Sequence, residues 1–239
     1  MSGPWSRIAC AAAFFAVAGC AAQKPVHSGP PVRTAGPRST YVSVGGADTT
    51  GRGSADPLTD AYPQVIFHHA LPSDTTFVNL GSESLRVGAT ASVLAAARAV
   101  RPTVATVWLG RDDELAQTPA ADYGRDLGAL VIGLRSAGAT RILLATPPDL
   151  ASFPAYATCR SGDERCALAP DPGKLPAPAA IAASVVAYAE ATRTVAQRDG
   201  ATLVVLPSLA GGDFTGDGAR LSTQGQAAVA AAFGRALKA

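Results

Sequence analysis

His27, His68 and His69 are the only histidines in this 239-residue chain, so general-base chemistry at neutral pH must start from one of them or from a displaced carboxylate. His27 lies in a Pro/Gly-rich stretch and reads as solvated. His68 and His69 follow Tyr62 to Phe67 and read as a partly exposed pair at a helix end. Ser43, Thr49, Thr50, Ser54, Ser82 and Ser84 offer hydroxyls, but each needs a base before it can attack a carbonyl. Asp48 and Asp112 can activate a water in principle; paired surface carboxylates are the simpler reading. Arg86, Arg111 and Arg220, with Asp112 and Asp217, sketch a polar cup for a charged ligand, against the alternative of ordinary surface charge. Asp217 and Arg220, three residues apart, have charges suited to an ion pair. No Cys-x-x-Cys or His-Glu-x-x-His spacing occurs, so neither a metal nor a cofactor is expected.

Most of these residues fall in loops between regularly alternating elements. Short apolar runs predict strands at Tyr41 to Val44, Thr76 to Leu80, Val104 to Leu109, Arg141 to Ala145 and Thr202 to Leu206. Helical spacing predicts helices over Thr90 to Val100, Asp122 to Ala137 and Ile181 to Asp199, the last two stopped by Gly138 and Gly200. A final helix starts at Thr223-Gln224-Gly225-Gln226, which fits a capping box. Strands alternating with helices argue an α/β fold, a parallel sheet covered on both faces, in which ligands bind beyond the carboxyl ends of the strands. A composition 48% apolar and 16% charged excludes disorder throughout, and a net charge of +2 gives no polybasic excess for nucleic acid.

The loops are distinctive as a set. They read YVSVGGADTTGRG (Tyr41 to Gly53), VNLGSES (Val78 to Ser84), VWLGRDDEL (Val107 to Leu115), LATPPDLASFPAY (Leu144 to Tyr156) and GDGARLSTQGQAAVAAAF (Gly216 to Phe233). In this order, over nearly all of residues 40 to 239, they resemble the SGNH hydrolases, the GDSL esterase/lipase family. The resemblance implies a three-layer α/β/α, flavodoxin-like fold with a five-stranded parallel sheet. It also implies ester hydrolysis by Ser, His and Asp. The first family block, Gly-Asp-Ser-x-Thr-x-Gly, is matched at Gly45, Thr49 and Gly51, but Gly46 stands for the Asp and Ala47 for the nucleophilic Ser. Asn79-Leu80-Gly81 matches the block whose Gly amide faces the oxyanion. Gly110-Arg111-Asp112-Asp113 places Asp112 where the family has an oxyanion-binding Asn. Asp217-Gly218-Ala219-Arg220 keeps the orienting acid and puts Arg220 in place of the base.

Alanine has no nucleophile, and a guanidinium with a pKa above about 12 accepts no proton at neutral pH. Two of three triad roles are therefore empty, and an ionised Asp112 would oppose the charge an oxyanion hole must stabilise. The expected function is a catalytically silent SGNH-fold protein binding an envelope glycan, acyl group or protein. The alternative is an active acyl or acetyl esterase with a displaced catalytic set. An uptake binding protein fits less well, because such proteins usually have two lobes.

At the N-terminus Arg7 precedes an apolar run from Ile8 to Ala18, too short to span a bilayer, and the run ends in Val17-Ala18-Gly19-Cys20. That ending resembles the lipobox of bacterial lipoproteins, which implies a signal peptide over 1-19, lipidation of Cys20, and a membrane-anchored extracytoplasmic protein; an ordinary cleaved secretory signal is the alternative. Residues 20-39 read as a Pro/Gly-rich tether and 40-239 as the hydrolase-like domain, expected to be a monomer. The first acidic residue is Asp48, with Arg7, Lys24, Arg33 and Arg38 all before it, so the leading segment is basic and suits an anionic membrane surface. In that oxidising compartment Cys159 and Cys166 are expected to form a disulfide across a loop overhanging the site.

Overall fold

In a computed structural model, which describes residues 39–161, 168 and 175–239, strands β1 (Thr40–Gly45), β2 (Thr76–Asn79), β3 (Val104–Trp108), β4 (Arg141–Ala145) and β5 (Thr202–Val204) form one sheet in the order β2-β1-β3-β4-β5. Every pairing is parallel, with Tyr41 opposite Phe77 and Val104, Val104 opposite Arg141, and Leu143 opposite Thr202. The helices are α1 (Pro57–Asp60), α2 (Tyr62–Ala70), α3 (Ala91–Val100), α4 (Arg111–Leu115), α5 (Ala120–Ser136), α6 (Pro154–Arg160), α7 (Pro178–Arg198) and α8 (Thr223–Lys238). One compact unit runs over Pro37–Ala239.

Strand side chains alternate between two cores, which is why the strands read as continuous apolar runs. Val42, Val44, Ala105, Val107, Ile142 and Leu144 pack with Leu127, Leu130, Leu134 and Tyr188 of α5 and α7. Tyr41, Trp108, Leu143, Ala145 and Val204 pack with Tyr62 and Ile66 of α2 and Val229 and Phe233 of α8. Tyr62 stacks on Phe233 with ring centroids 5.4 Å apart.

The observed fold is the five-stranded α/β arrangement expected, with displaced ends. β5 stops at Val204 where the apolar run continued to Leu206, because the Leu206 amide donates to Thr146 Oγ1 instead of extending the ladder. Pro207, which has no amide hydrogen, follows. The α8 cap lies one residue earlier than the capping-box reading: Ser222 Oγ accepts from the Gly225 amide, and Gln226 plays no capping role. Gln226 is fully buried, its Oε1 accepting from the Tyr62 amide and its Nε2 donating to the Asp48 carbonyl. α1, α2, α4 and α6 are short and follow the loops that carry the candidate site.

Candidate active site

At the carboxyl end of β1, Gly45 is set so close to the next turn that a Cβ would stand 1.9 Å from Thr49 Oγ1 and 2.6 Å from the Trp108 carbonyl. Only glycine fits, and the chain turns at once into a short 3-10 helix, Ala47–Thr50, closed by Gly51 at φ 77. The hydroxyls here are committed to structure. Thr49 Oγ1 shares a 2.9 Å hydrogen bond with Tyr62 Oη, Thr50 Oγ1 donates to the Ala47 carbonyl, and Ser54 Oγ donates to the Gly51 carbonyl. Ser43 Oγ donates to Asn79 Oδ1.

Gly81 follows β2, and its amide, expected to face an oxyanion, donates instead to Asn79 Oδ1 at 2.8 Å. Asn79 Nδ2 in turn donates to the Thr49 carbonyl, tying the second loop to the first. Gly81 is held by packing, since a Cβ there would meet Thr49 Cβ at 2.9 Å.

The third loop passes through Gly110, at φ 128, into α4. Arg111 Nη1 lies 3.2 Å from Asp48 Oδ2 and 3.5 Å from the Ala219 carbonyl, and Asp48 Oδ1 accepts from the Leu221 amide at 3.4 Å. Asp48 is therefore paired, as expected, but it is not a surface carboxylate: only 5% of it is exposed. Asp112 is half-buried, with Oδ2 3.1 Å from the point a Cβ of residue 46 would occupy, so the missing side chain of Gly46 makes room for it. Its carboxyl is raised above the ordinary carboxylate range, by burial first; Asp48 and Glu83 add to the rise while Arg111 and Arg86 oppose it. Asp113 and Glu114 are fully buried beneath it. Asp113 Oδ2 accepts from the Val87 amide and Glu114 Oε2 from the Leu150 amide, while Asp113 Oδ1 and Glu114 Oε1 have no partner among the described residues. Burial pushes these carboxyls up to about 6 and about 9 respectively.

In the last loop Asp217 Oδ2 accepts from Arg220 Nη1 at 2.8 Å, making the ion pair that the spacing suggested, and its Oδ1 accepts from Thr215 Oγ1 and the Ala219 amide. Burial raises the Asp217 carboxyl, but the bonds from Thr215 and Ala219 and the Arg220 charge outweigh it and hold the group below its ordinary value.

Ala47, Asp112 and Arg220 converge. With Glu83, Ser84, Arg111, Leu168 and Ala219 they line a hollow of about 120 Å³. Asp217 backs Arg220, whereas Gly81 does not line the hollow. His68 and His69 are exposed at the end of α2. Cys159 is buried and disulfide-bonded; Cys166, like Cys20, lies outside the described residues. Among the described residues no group of three or more His, Cys, Asp or Glu side chains could hold a metal.

Sequence reasoning missed Gln226 and the wiring of Asp48 to Arg111. For Gln226 the signal was present: it shares the i, i+3, i+4, i+7 stripe with Val229, Ala230 and Phe233, an apolar face on which one amide implies a buried partner. No comparable signal joined Asp48 to Arg111, 63 residues apart.

A sequence model of the GDSL-like lipase/acylhydrolase family matches residues 33–228. A search of the curated proteins finds no match. Among solved structures the chain is similar to the psychrotrophic esterase EstA from Pseudoalteromonas sp., at TM-score 0.59 and 14% identity over 84% of this chain and 97% of that one. It is also similar to the lipase/acylhydrolase from Enterococcus faecalis, at 0.57 and 16% over 82% and 94%. The acetyl xylan esterase AlAXEase gives 0.55 and 12% over 81% and 97%.

Proposed function

Because the chain belongs to the GDSL-like lipase/acylhydrolase family but lines its hollow with Ala47 and an ion-paired Arg220, we propose that it is a cell-envelope protein in which binding has replaced ester hydrolysis. The pairing of Arg220 with Asp217 carries this reading. The side chain that would have to accept a proton is a cation, and the acid that would orient a base is already bonded to it. A hydrolase stripped of its triad keeps about 10³- to 10⁴-fold over water through its oxyanion hole and substrate binding. Loss of one oxyanion donor costs about 10²- to 10³-fold. With Asp112 in the donor's place and the Gly81 amide engaged by Asn79, two donors are lost, which cancels that remainder of about 10³- to 10⁴-fold.

Of the expected ligands, a polar group of an envelope glycan fits best. Glu83, Arg111, Asp112 and Arg220 are four of the eight residues lining the hollow, a wall that would strand an acyl chain against charges. A carbohydrate ligand is also in keeping with likeness to an acetyl xylan esterase. The lipobox-like Cys20 and the basic leader support an anchored, extracytoplasmic setting.

The purified protein should hydrolyse p-nitrophenyl acetate and butyrate no faster than about tenfold over buffer and should not be labelled by a serine-directed fluorophosphonate. Turnover at about 1 s⁻¹ or more, or labelling at Ser84, the serine that lines the hollow, would establish the displaced-set esterase instead.

A further inference from the structure

Of the four charged residues lining the hollow, Glu83, Arg111, Asp112 and Arg220, one is left without a partner among the described residues. Arg111 pairs with Asp48, Arg220 with Asp217, and Arg52 with Glu83. Arg86 acts on both Asp112 and Asp113 through space but hydrogen-bonds neither among the described residues. Asp112 alone receives no hydrogen bond and no ion pair from any described residue, although it is half-buried and lines the hollow. Resting on the binding reading above, we infer that Asp112 anchors a protonated primary amine, presented by an amino sugar of the ligand.

The chemistry follows from what the wall lacks and what it supplies. A half-buried carboxylate that accepts no hydrogen bond, and on which Arg111 and Arg86 act only through space, is costly, and a ligand that brings both a donor and a contacting positive charge is favoured over one that brings a hydroxyl. The remaining guanidinium N–H groups of Arg111 and Arg220, and the hydroxyl of Ser84, can serve the ligand's neighbouring oxygens. The volume, about 120 Å³, leaves room for the amino-bearing edge of a sugar. Ser84 stands there at φ 57, a left-handed conformation that side-chain-bearing residues adopt at a cost. Gly46, having no side chain, leaves Asp112 Oδ2 unobstructed.

The test is calorimetric titration of the protein with four probes: D-glucosamine, D-glucose, N-acetyl-D-glucosamine and ethanolamine. D-glucosamine should bind at least about tenfold more tightly than either neutral sugar, as expected for a charge-assisted bond replacing a neutral one. It should also exceed ethanolamine, which carries the amine without the ring. Asp112→Asn, which restores the family's residue, should abolish the preference with an unchanged thermal transition. The wild-type preference should also fade as pH is lowered through the titration of Asp112, which faces Asp48 from the first loop, Glu83 and Arg86 from the second, Arg111 on its own helix and Arg220 from the last loop. Equal binding of glucose and glucosamine would overturn the amine inference and leave the binding function standing. Glucosamine binding that survives Asp112→Asn, tighter binding of ethanolamine, or no binding of any probe at millimolar concentration would also overturn it. Ester turnover would instead sink the function on which it rests.

Discussion

Residue 48 shows how the site has been rewired. A carboxylate with 5% exposure needs a counter-charge, and Arg111 supplies one while also reaching the Ala219 carbonyl, so a single cation joins the first, third and last loops. Removing one member of such a pair strands the other. Arg111→Met should therefore cost about 3 to 5 kcal/mol in urea unfolding. Adding Asp48→Leu should recover most of that loss, because the double variant buries no unpaired charge. If the single variant lost less than about 1 kcal/mol, the pair would be no stronger than an exposed one. The same logic governs position 46: Gly46→Asp would bring a second carboxylate to within van der Waals reach of Asp112.

At the scale of elements, α4 is five residues long and carries Asp112, Asp113 and Glu114 in its first turn, where acids complement the N-terminal end of the helix dipole. Packing that turn under the second and fourth loops buries two of them, and both carboxyls rise. For each group the folded state holds a proton that the unfolded chain has released, between about 4 and 6 for Asp113 and between about 4.5 and 9 for Glu114. Stability must then fall as pH rises through those windows, by at most about 1.4 kcal/mol per pH unit for each group. Of these two groups Glu114 alone contributes between pH 6 and 9, so Glu114→Gln should flatten the decline there while keeping an acceptor for the Leu150 amide. Urea unfolding at pH 6, 7.5 and 9 reads this directly; an unchanged slope in the variant would place the titration elsewhere. α8 acts across the molecule in a similar way, since Gln226 links the start of α2 to the turn that carries Ala47.

For the whole molecule, the fold sets the hollow at the carboxyl ends of the strands, and in the envelope setting proposed above Cys20 is the anchor. No helix among the described residues is long and apolar enough to cross a bilayer. Cys20→Ser should accordingly move the mature protein from the membrane pellet to the soluble fraction without changing its thermal unfolding. Retention of the variant in the pellet would mean that some other segment attaches it.

The sequence by itself determined the α/β class, five strands within two residues of their ends and the long helices, and its loop motifs singled out Ala47, Asp112 and Arg220, which the structure brings to one hollow. Those features are written in local spacing: runs of apolar residues buried on both faces, helical stripes ended by Gly138 and Gly200, and loop motifs in order. It also suggested the Asp217–Arg220 pair, because three residues of separation keep two side chains within reach. Tertiary structure alone decided that Asp48 is buried against Arg111, that Asn79 takes the Gly81 amide, and that Asp112 is the charge left over. Each depends on which loops the parallel sheet brings side by side, with partners as far apart as Asp48 and Leu221. Burial, which sets both the cost of a charge and its need for a partner, is a property of that assembly and not of spacing along the chain.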